Sequence, residues 1–254
     1  MRLAACETEG LNRVYDRSRE AFAFVLSMPT RLLLAFLLLP GLALCQQPFS
    51  TPGEYQGRVI AQTLHWQGAA WLVRHKRERE EATTTMRANL GLKPGMAVCD
   101  MGSGNGYHTL PMAEAVGDTG KVYAVDVQPE MILMLNERIA EKGVKNIVPI
   151  VGALDDPKLP ERSCDMILLV DVYHEFSQPE AMLTAMKKAL KPNGVIVLVE
   201  FRAEDDSVPI KPEHKMSKAQ ILKEMEVNGL KLVREFEGLP WQHMMFFGLP
   251  PQKL

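Results

Sequence analysis

The stretch VCDMGSGNGYHTL, residues 98–110, decides the fold of this chain. Its apolar start runs into the acid Asp100, and glycines then follow at alternate positions, at Gly102, Gly104 and Gly106. A strand that enters such a loop and leaves it as a helix places the loop at the carboxyl edge of a parallel sheet. Glycines there reach backbone angles that other residues resist, and they let a ligand lie directly on the backbone. The stretch therefore predicts a ligand site at the start of a βα unit.

Strand-like and helix-like segments alternate on both sides of this loop. We predict strands over 96–101, 121–127, 146–152, 165–172 and 195–201, and helices over 106–116, 129–143, 179–194 and 217–229. The last two apolar runs, 230–238 and 241–249, are joined by a link too short for a parallel crossover, so they form an antiparallel hairpin. The predicted fold class is α/β: a Rossmann-like three-layer sandwich with a mostly parallel seven-stranded sheet that ends in the hairpin.

Composition excludes several classes of protein. A net charge of −2 over 254 residues provides no basic face, so we expect no nucleic-acid partner. The four cysteines form no C-x-x-C pair and carry no zinc or redox signature. We interpret Cys99 and Cys164, which border strand-like runs, as small core residues. No pattern indicates an oligomeric state.

An export-like segment lies over residues 28–45. One arginine precedes an apolar run over 32–45, which is short for a membrane span of about 20 residues but typical of a secretory signal. Residues 1–27 do not resemble a leader, and our hypothesis is that translation starts at Met28. If the segment is used, we expect an exported or membrane-anchored protein with a membrane contact through 28–45; otherwise we expect a cytoplasmic one.

The remainder of the chain divides into an arm and a domain. Residues 46–90 are predicted to form a linker, over 46–58, followed by a mainly helical N-terminal arm. Residues 91–249 form the α/β domain and 250–254 a tail. His65, Trp66 and Trp71 in the arm either roof the ligand site or pack the arm onto the domain.

Three positions next to the glycine loop narrow the choice of ligand. Asp126 ends the next strand about 20 residues after the loop, where an acid accepts hydrogen bonds from the hydroxyls of a ribose. A dinucleotide site needs a third glycine where this chain has Tyr107. Asp100 suits a cationic ligand, because a carboxylate can meet an ammonium group. These residues favour S-adenosylmethionine over a dinucleotide.

Four runs together resemble a known family. VCDMGSGNG, the acid in AVDV, LPERSCDMILLVDV and ALKPNGVIVLVEF are similar to the class I S-adenosylmethionine-dependent methyltransferases, over roughly residues 90–249. Within that seven-strand Rossmann-like family, the chain resembles a subgroup with an N-terminal signal-like extension and the run DVYHEF after strand four.

The resemblance implies a set of cofactor-binding residues. The methionine part lies on Asp100 and the glycine loop, the ribose on Asp126 and the adenine against Val127. Ala153 stands where the family usually has an acid for the adenine amino group, which leaves Asp155 or Asp156 to replace it. The full set is Asp100, Gly102, Ser103, Gly104, Gly106, Asp126, Val127, Asp155 and Asp171.

Three residues after strand four are the predicted catalytic group. His174 could take a proton from an acceptor hydroxyl, with Glu175 or Asp171 orienting it. In the alternative interpretation, Tyr173 and His174 only form a wall of the pocket.

No metal site is predicted. The other histidines in motif-like settings are His108, His214 and His243. With Glu175 or Asp171 they could form a metal site, but no pair has the ligand spacing of a helix or hairpin.

The expected function is methyl transfer from S-adenosylmethionine to a small-molecule acceptor, at oxygen, carbon or nitrogen. Two alternatives stay open. One is a nicotinamide-dependent oxidoreductase, which Tyr107 and the closing hairpin disfavour. The other is a protein that binds adenosylmethionine without turnover.

Overall fold

The computed structural model describes residues 53–250. The predicted leader over 1–27, the export-like segment over 28–45 and all but the first residue of the predicted tail lie outside this range. Within the described range, no helix combines the length and apolarity that crossing a membrane requires.

The described residues form one seven-stranded sheet and one small hairpin. The large sheet has the strand order β5-β4-β3-β6-β7-β9-β8. The strands in the first five positions are parallel to one another, whereas β9 runs antiparallel to β7 and to β8. This arrangement confirms the predicted fold and the closing hairpin. The strands are β1 Glu54–Tyr55, β2 Arg58–Val59, β3 Ala97–Met101, β4 Lys121–Asp126, β5 Ile147–Val151, β6 Cys164–Val170, β7 Leu190–Phe201, β8 Lys231–Phe236 and β9 Gln242–Gly248.

Helices cover both faces of this sheet. They are α1 Arg77–Glu81, α2 Thr83–Leu90, α3 Thr109–Val116, α4 Pro129–Lys142, α5 Pro179–Ala189 and α6 Lys218–Val227, with 3-10 helices at Trp66–Val73, Tyr173–Glu175 and Pro212–His214. Local sequence explains several of the boundaries. Proline begins α4, Gly143 ends it in the left-handed conformation, and the Ser217 side chain caps α6.

Three predicted elements differ from the structure. The helix predicted over much of 60–90 is broken into short pieces, because Ala82 adopts the left-handed conformation between α1 and α2. The predicted linker over 46–58 ends in the β1–β2 hairpin. The helix predicted to continue to 194 ends at Ala189, and the Lys-Pro-Asn-Gly segment extends β7 instead.

Two apolar clusters lie on opposite faces of the sheet. Alternate residues of β3 divide between them, with Cys99 in one cluster and Val98 in the other. Cys164 joins the first cluster, and both cysteines are free and buried, which confirms their interpretation as core residues. Burial on both faces is the usual state of a parallel sheet.

Polar contacts hold the arm, residues 53–90, against the carboxyl edge of the sheet. Arg58 forms an ion pair with Glu224 of α6 and donates from Nη1 to the backbone oxygen of His174. Gln128, just after β4, accepts a hydrogen bond from the backbone of Trp66 and donates one to the backbone of Leu64. The arm is thereby fixed above the ends of β4 and β6.

Candidate active site

A cavity of about 690 Å³ lies at the carboxyl edge of the sheet, under the arm. Its walls come from the ends of four strands, namely Met101 and Gly102, Asp126, Val170 and Asp171, and Phe201. Its roof includes Leu64, His65, Trp71 and Leu72 of the arm, whereas Trp66 does not line it. A volume between about 300 and 1,000 Å³ is typical of a small-molecule or cofactor site.

The glycine loop forms one wall because it carries no side chains. Gly102 and Gly104 line the cavity and have φ values of 69° and 52°, in the left-handed region. A Cβ atom on Gly102 would lie 2.5 Å from Val172, and one on Gly104 would lie 2.6 Å from Leu72. A side chain at either position would have to displace its neighbour and would hold the backbone in a strained left-handed conformation.

Asp126 lies beside this loop with its carboxylate held by backbone donors. Oδ2 accepts a hydrogen bond from Gly104 N and Oδ1 accepts one from Gln128 N, each at 2.9 Å. Burial raises the pKa of this carboxyl group, against the backbone hydrogen bonds that lower it. Each oxygen keeps a lone pair for a further donor, and Asp126 and Val127 both line the cavity.

Four of the predicted cofactor residues lie outside the cavity wall: Asp100, Ser103, Gly106 and Asp155. The Asp100 carboxylate accepts a hydrogen bond from the Thr109 hydroxyl, in the layer behind the loop. Asp155 is exposed, and its neighbours Ala153 and Leu154 line the cavity instead. Asp156 is also exposed and outside the cavity wall, so a contact of either acid with the adenine stays a prediction.

Asp100 is the basis of a pH prediction. Burial raises its pKa to about 6, although the Thr109 hydrogen bond and Arg77 act in the opposite direction and Asp126 adds to the rise. A carboxyl group with a raised folded-state pKa keeps its proton longer in the folded chain. The free energy of unfolding therefore falls as the pH rises from about 4 to about 6, and the loss persists above that range.

We expect Asp100→Asn to remove this loss. The difference in the free energy of unfolding between the variant and the unsubstituted chain should grow by about 2 kcal/mol, in favour of the variant, as the pH rises from about 4.5 to about 8. Urea unfolding of both proteins without cofactor measures the difference, in which the other titrating groups cancel. A difference that does not change with pH would show that Asp100 ionises normally.

Asp171 lies on the opposite wall, at the end of β6. It adopts a left-handed φ of 55°, and Gln242 Nε2 donates to both of its carboxylate oxygens at 3.0 and 2.9 Å. Burial raises its pKa well above the usual range, and the nearby carboxylates of Glu81 and Glu200 add to the effect.

His174 is 2% exposed and has a carboxylate on one side of its ring. Its Nδ1 lies 2.5 Å from Oε2 of Glu200, a residue of β7 that is 0% exposed and also accepts from Tyr173 N. Burial lowers the pKa of His174, but the Glu200 carboxylate outweighs it and the net shift is upward. The structure therefore gives the orienting role to Glu200, where the sequence suggested Glu175 or Asp171.

The other nitrogen of His174 meets a second histidine. Its Nε2 lies 3.1 Å from Nδ1 of His214, which comes from the loop after β7. Glu175 Oε1 lies 3.9 Å from each of these two nitrogens and accepts from Leu64 N. Burial raises the pKa of Glu175 to about 7. Sequence spacing did not indicate this group, because its members come from two separate loops. For Glu200, the available signal was a glutamate next to the end of the apolar strand β7.

His108 and His243 lie apart from this group. His108 is buried behind the loop, where neither ring nitrogen has a hydrogen-bond partner among residues 53–250, and burial lowers its pKa well below the usual range. His243 of β9 pairs with Glu204 at 2.9 Å.

These features fit S-adenosylmethionine. The bare backbone of Gly102 and Gly104 forms a cradle that any Cβ would fill, and Asp126 presents acceptors for a ribose diol. Val127 and Met131 supply an apolar surface for a base next to that acid. Tyr107, where a dinucleotide site has glycine, packs between Arg77 and Thr83.

Comparisons with known proteins agree with the fold. The family described as a methyltransferase domain matches residues 92–243. A solved S-adenosylmethionine-dependent methyltransferase from Aquifex aeolicus superposes with a TM-score of 0.69 and is 26% identical, covering 73% of this chain and 98% of its own. A TehB-like S-adenosylmethionine-dependent methyltransferase from Corynebacterium glutamicum is 16% identical and shares the fold, with a TM-score of 0.54 over 73% of this chain and 98% of its own.

The matches to curated relatives cover a smaller part of the chain. The ubiquinone/menaquinone biosynthesis C-methyltransferase UbiE of Shewanella sp. (strain W3-18-1) is 29% identical over 127 residues, which cover 50% of this chain and 47% of that protein. The chain therefore spans about half the length of the curated relatives that it matches. The family match covers more than half of the chain and includes the glycine loop, Asp126 and all five parallel strands. The chain therefore belongs to the methyltransferase domain family and has the fold of the class I S-adenosylmethionine-dependent methyltransferases.

Proposed function

We propose that this protein transfers the methyl group of S-adenosylmethionine to a small, mostly apolar molecule that carries an oxygen atom. One observation carries the proposal: a single cavity joins the glycine loop and Asp126 to a second half with a different lining. The second half is lined by Phe176, Met182, Phe201, Pro209, Ile210 and Lys211, together with His174, Glu175 and His214. Its surface is apolar with a few polar groups on one side, which suits an apolar body bearing an oxygen substituent.

The bound cofactor supplies a methyl group on a sulfonium, and in-line displacement depends mainly on positioning. The residues of this chain would hold the ribose at Asp126, exclude water through the arm, and set the acceptor against the wall after β6. A direct base role for His174 requires its Nε2, and that nitrogen faces His214 rather than the open cavity. An acceptor proton could therefore reach His174 by way of His214, with Glu175 beside both rings.

The names of the relatives favour carbon as the acceptor atom. Those that match half of this chain are C-methyltransferases of ubiquinone/menaquinone biosynthesis. A quinol has an apolar ring with hydroxyl groups next to a nucleophilic ring carbon, which agrees with the lining of the second half.

The test has two stages. Calorimetric titration of the full chain with S-adenosylmethionine, with NAD as a parallel control, should show micromolar binding of the first ligand alone. Incubation with methyl-labelled cofactor and a reduced naphthoquinol that lacks a ring methyl should then place the label on carbon, whereas a matched simple phenol should stay unlabelled. Binding of NAD alone would contradict the cofactor, and label on oxygen would contradict the acceptor atom.

A further inference from the structure

Three potential metal ligands meet on the wall of the cavity. His174 and Glu175 belong to the 3-10 helix after β6, and His214 ends the 3-10 helix Pro212–His214 in the loop after β7. The ligand atoms of the three residues all lie within 4.8 Å of one another. We propose that His174, Glu175 and His214 form a binding site for a divalent transition metal ion of the zinc type.

The distances between the three ligand atoms are close to those of a metal site. The two imidazole nitrogens lie 3.1 Å apart, and Glu175 Oε1 lies 3.9 Å from each of them. Tetrahedral zinc with bonds of 2.0–2.1 Å separates its ligand atoms by about 3.3 Å. A carboxylate shift of less than about 1 Å would complete the triangle, and the long Glu175 side chain can supply it.

Glu200 provides the second observation for this site. Metal-binding histidines commonly donate their other ring N–H to a carboxylate, which fixes the tautomer. His174 Nδ1 faces the buried Glu200 carboxylate at 2.5 Å, which favours the tautomer with the proton on Nδ1; in that tautomer the lone pair of Nε2, on the side of His214, is available to a metal ion. Glu200 is itself fixed by Tyr173 N at 2.9 Å, which makes the orientation of the ring rigid.

The chemistry and number of the three ligands indicate which metal would bind and how many coordination positions would stay open. Two imidazoles and one carboxylate suit zinc and its neighbours better than magnesium or calcium, which prefer oxygen ligands. Three protein ligands leave at least one coordination position open, as in catalytic zinc sites. All three residues line the cavity, in the half proposed for the acceptor.

The metal would bind the oxygen atom of the acceptor. A divalent ion stabilises a bound oxyanion and lowers the pKa of a bound hydroxyl group. Bound in this way, the acceptor would lie with its oxygen on the ion and its apolar body on the other side of the cavity. This part of the inference rests on the proposed function, whereas the metal site itself does not.

Titration of the chelator-stripped full chain with Zn²⁺ tests the site, and Co²⁺ absorption reports the ligand type. We expect one ion per chain, with a Co²⁺ spectrum that shows nitrogen and oxygen ligation and no thiolate charge transfer. His214→Ala should weaken binding by more than about a hundredfold, since even outer partners of a metal site contribute ten- to hundredfold. Glu175→Gln should weaken it as well. His243→Ala, at a paired histidine outside the cavity, should leave binding unchanged.

Circular dichroism of each variant checks that it is folded, and His214 is suitable because its side chain is partly exposed, at 27%. Absence of stoichiometric binding, retention of binding in folded His214→Ala, or a thiolate band would overturn the proposal. Cofactor titration of the same samples separates the two proposals. Adenosylmethionine binding without zinc binding would refute the metal site alone, and zinc binding without adenosylmethionine binding would refute the proposed function alone.

Discussion

Arg58→Met is expected to lower the free energy of unfolding by about 3–5 kcal/mol, the cost of leaving a buried charge without its partner. Arg58 pairs with Glu224 of α6 at 2.6 Å, and the Glu224 side chain is 0% exposed. After the substitution, Glu224 keeps hydrogen bonds from the hydroxyl of Tyr173 and from Gln220 Nε2, but within residues 53–250 it has no other ion pair. Urea unfolding monitored by circular dichroism measures the change.

The chain supplies a control with the same geometry. Lys191 and Asp165 also pair at 2.6 Å, but their side chains are 38% and 30% exposed. Lys191→Met should therefore cost less than about 1 kcal/mol, because water stabilises the remaining charge. Adding Glu224→Gln to Arg58→Met removes the uncompensated charge and should recover part of the loss. Equal effects of Arg58→Met and Lys191→Met would contradict the conclusion that the buried ion pair of Arg58 with Glu224 stabilises the contact between the arm and α6.

Asp126→Ala is expected to weaken S-adenosylmethionine binding by about 1.5–3 kcal/mol, the scale of charge-assisted hydrogen bonds. In terms of the dissociation constant, this is roughly a ten- to hundredfold increase. The physical reason is that the carboxylate offers acceptors to the ribose and also holds Gly104 N and Gln128 N, which shape the loop. Calorimetric titration of the folded variant measures the change.

Asp165→Ala is the matched control for this experiment. Its carboxylate also accepts a backbone hydrogen bond, from Ala97 N at 2.8 Å, but it lies at the amino edge of the sheet, away from the cavity. The Asp165→Ala variant should have a lower free energy of unfolding but an unchanged affinity for the cofactor. Unchanged affinity in folded Asp126→Ala would mean that the ribose lies elsewhere.

The order of elements in the domain could be predicted from local sequence. Apolar runs of strand length, the helix limits at Pro129 and Gly143 and the alternating glycines of the loop each specify a local conformation through side-chain shape or its absence. Because parallel strands place their carboxyl ends together, the position of Asp126 beside the loop also followed from the sequence. The arm was less predictable, since its path depends on contacts such as that of Arg58 with Glu224, which are 166 residues apart.

The sequence by itself determined the α/β fold, the place of the ligand site and the class of cofactor, because these depend on patterns within one βα unit and its neighbour. The tertiary structure alone decided which polar groups meet on the far wall of the cavity. Glu200, His174 and His214 come from β7 and from two separate loops, and they meet only because β6 and β7 are adjacent and the following loop folds back over them. No spacing along the chain encodes such a meeting; it depends on strand order and on the burial of a carboxylate that needs a hydrogen-bond donor.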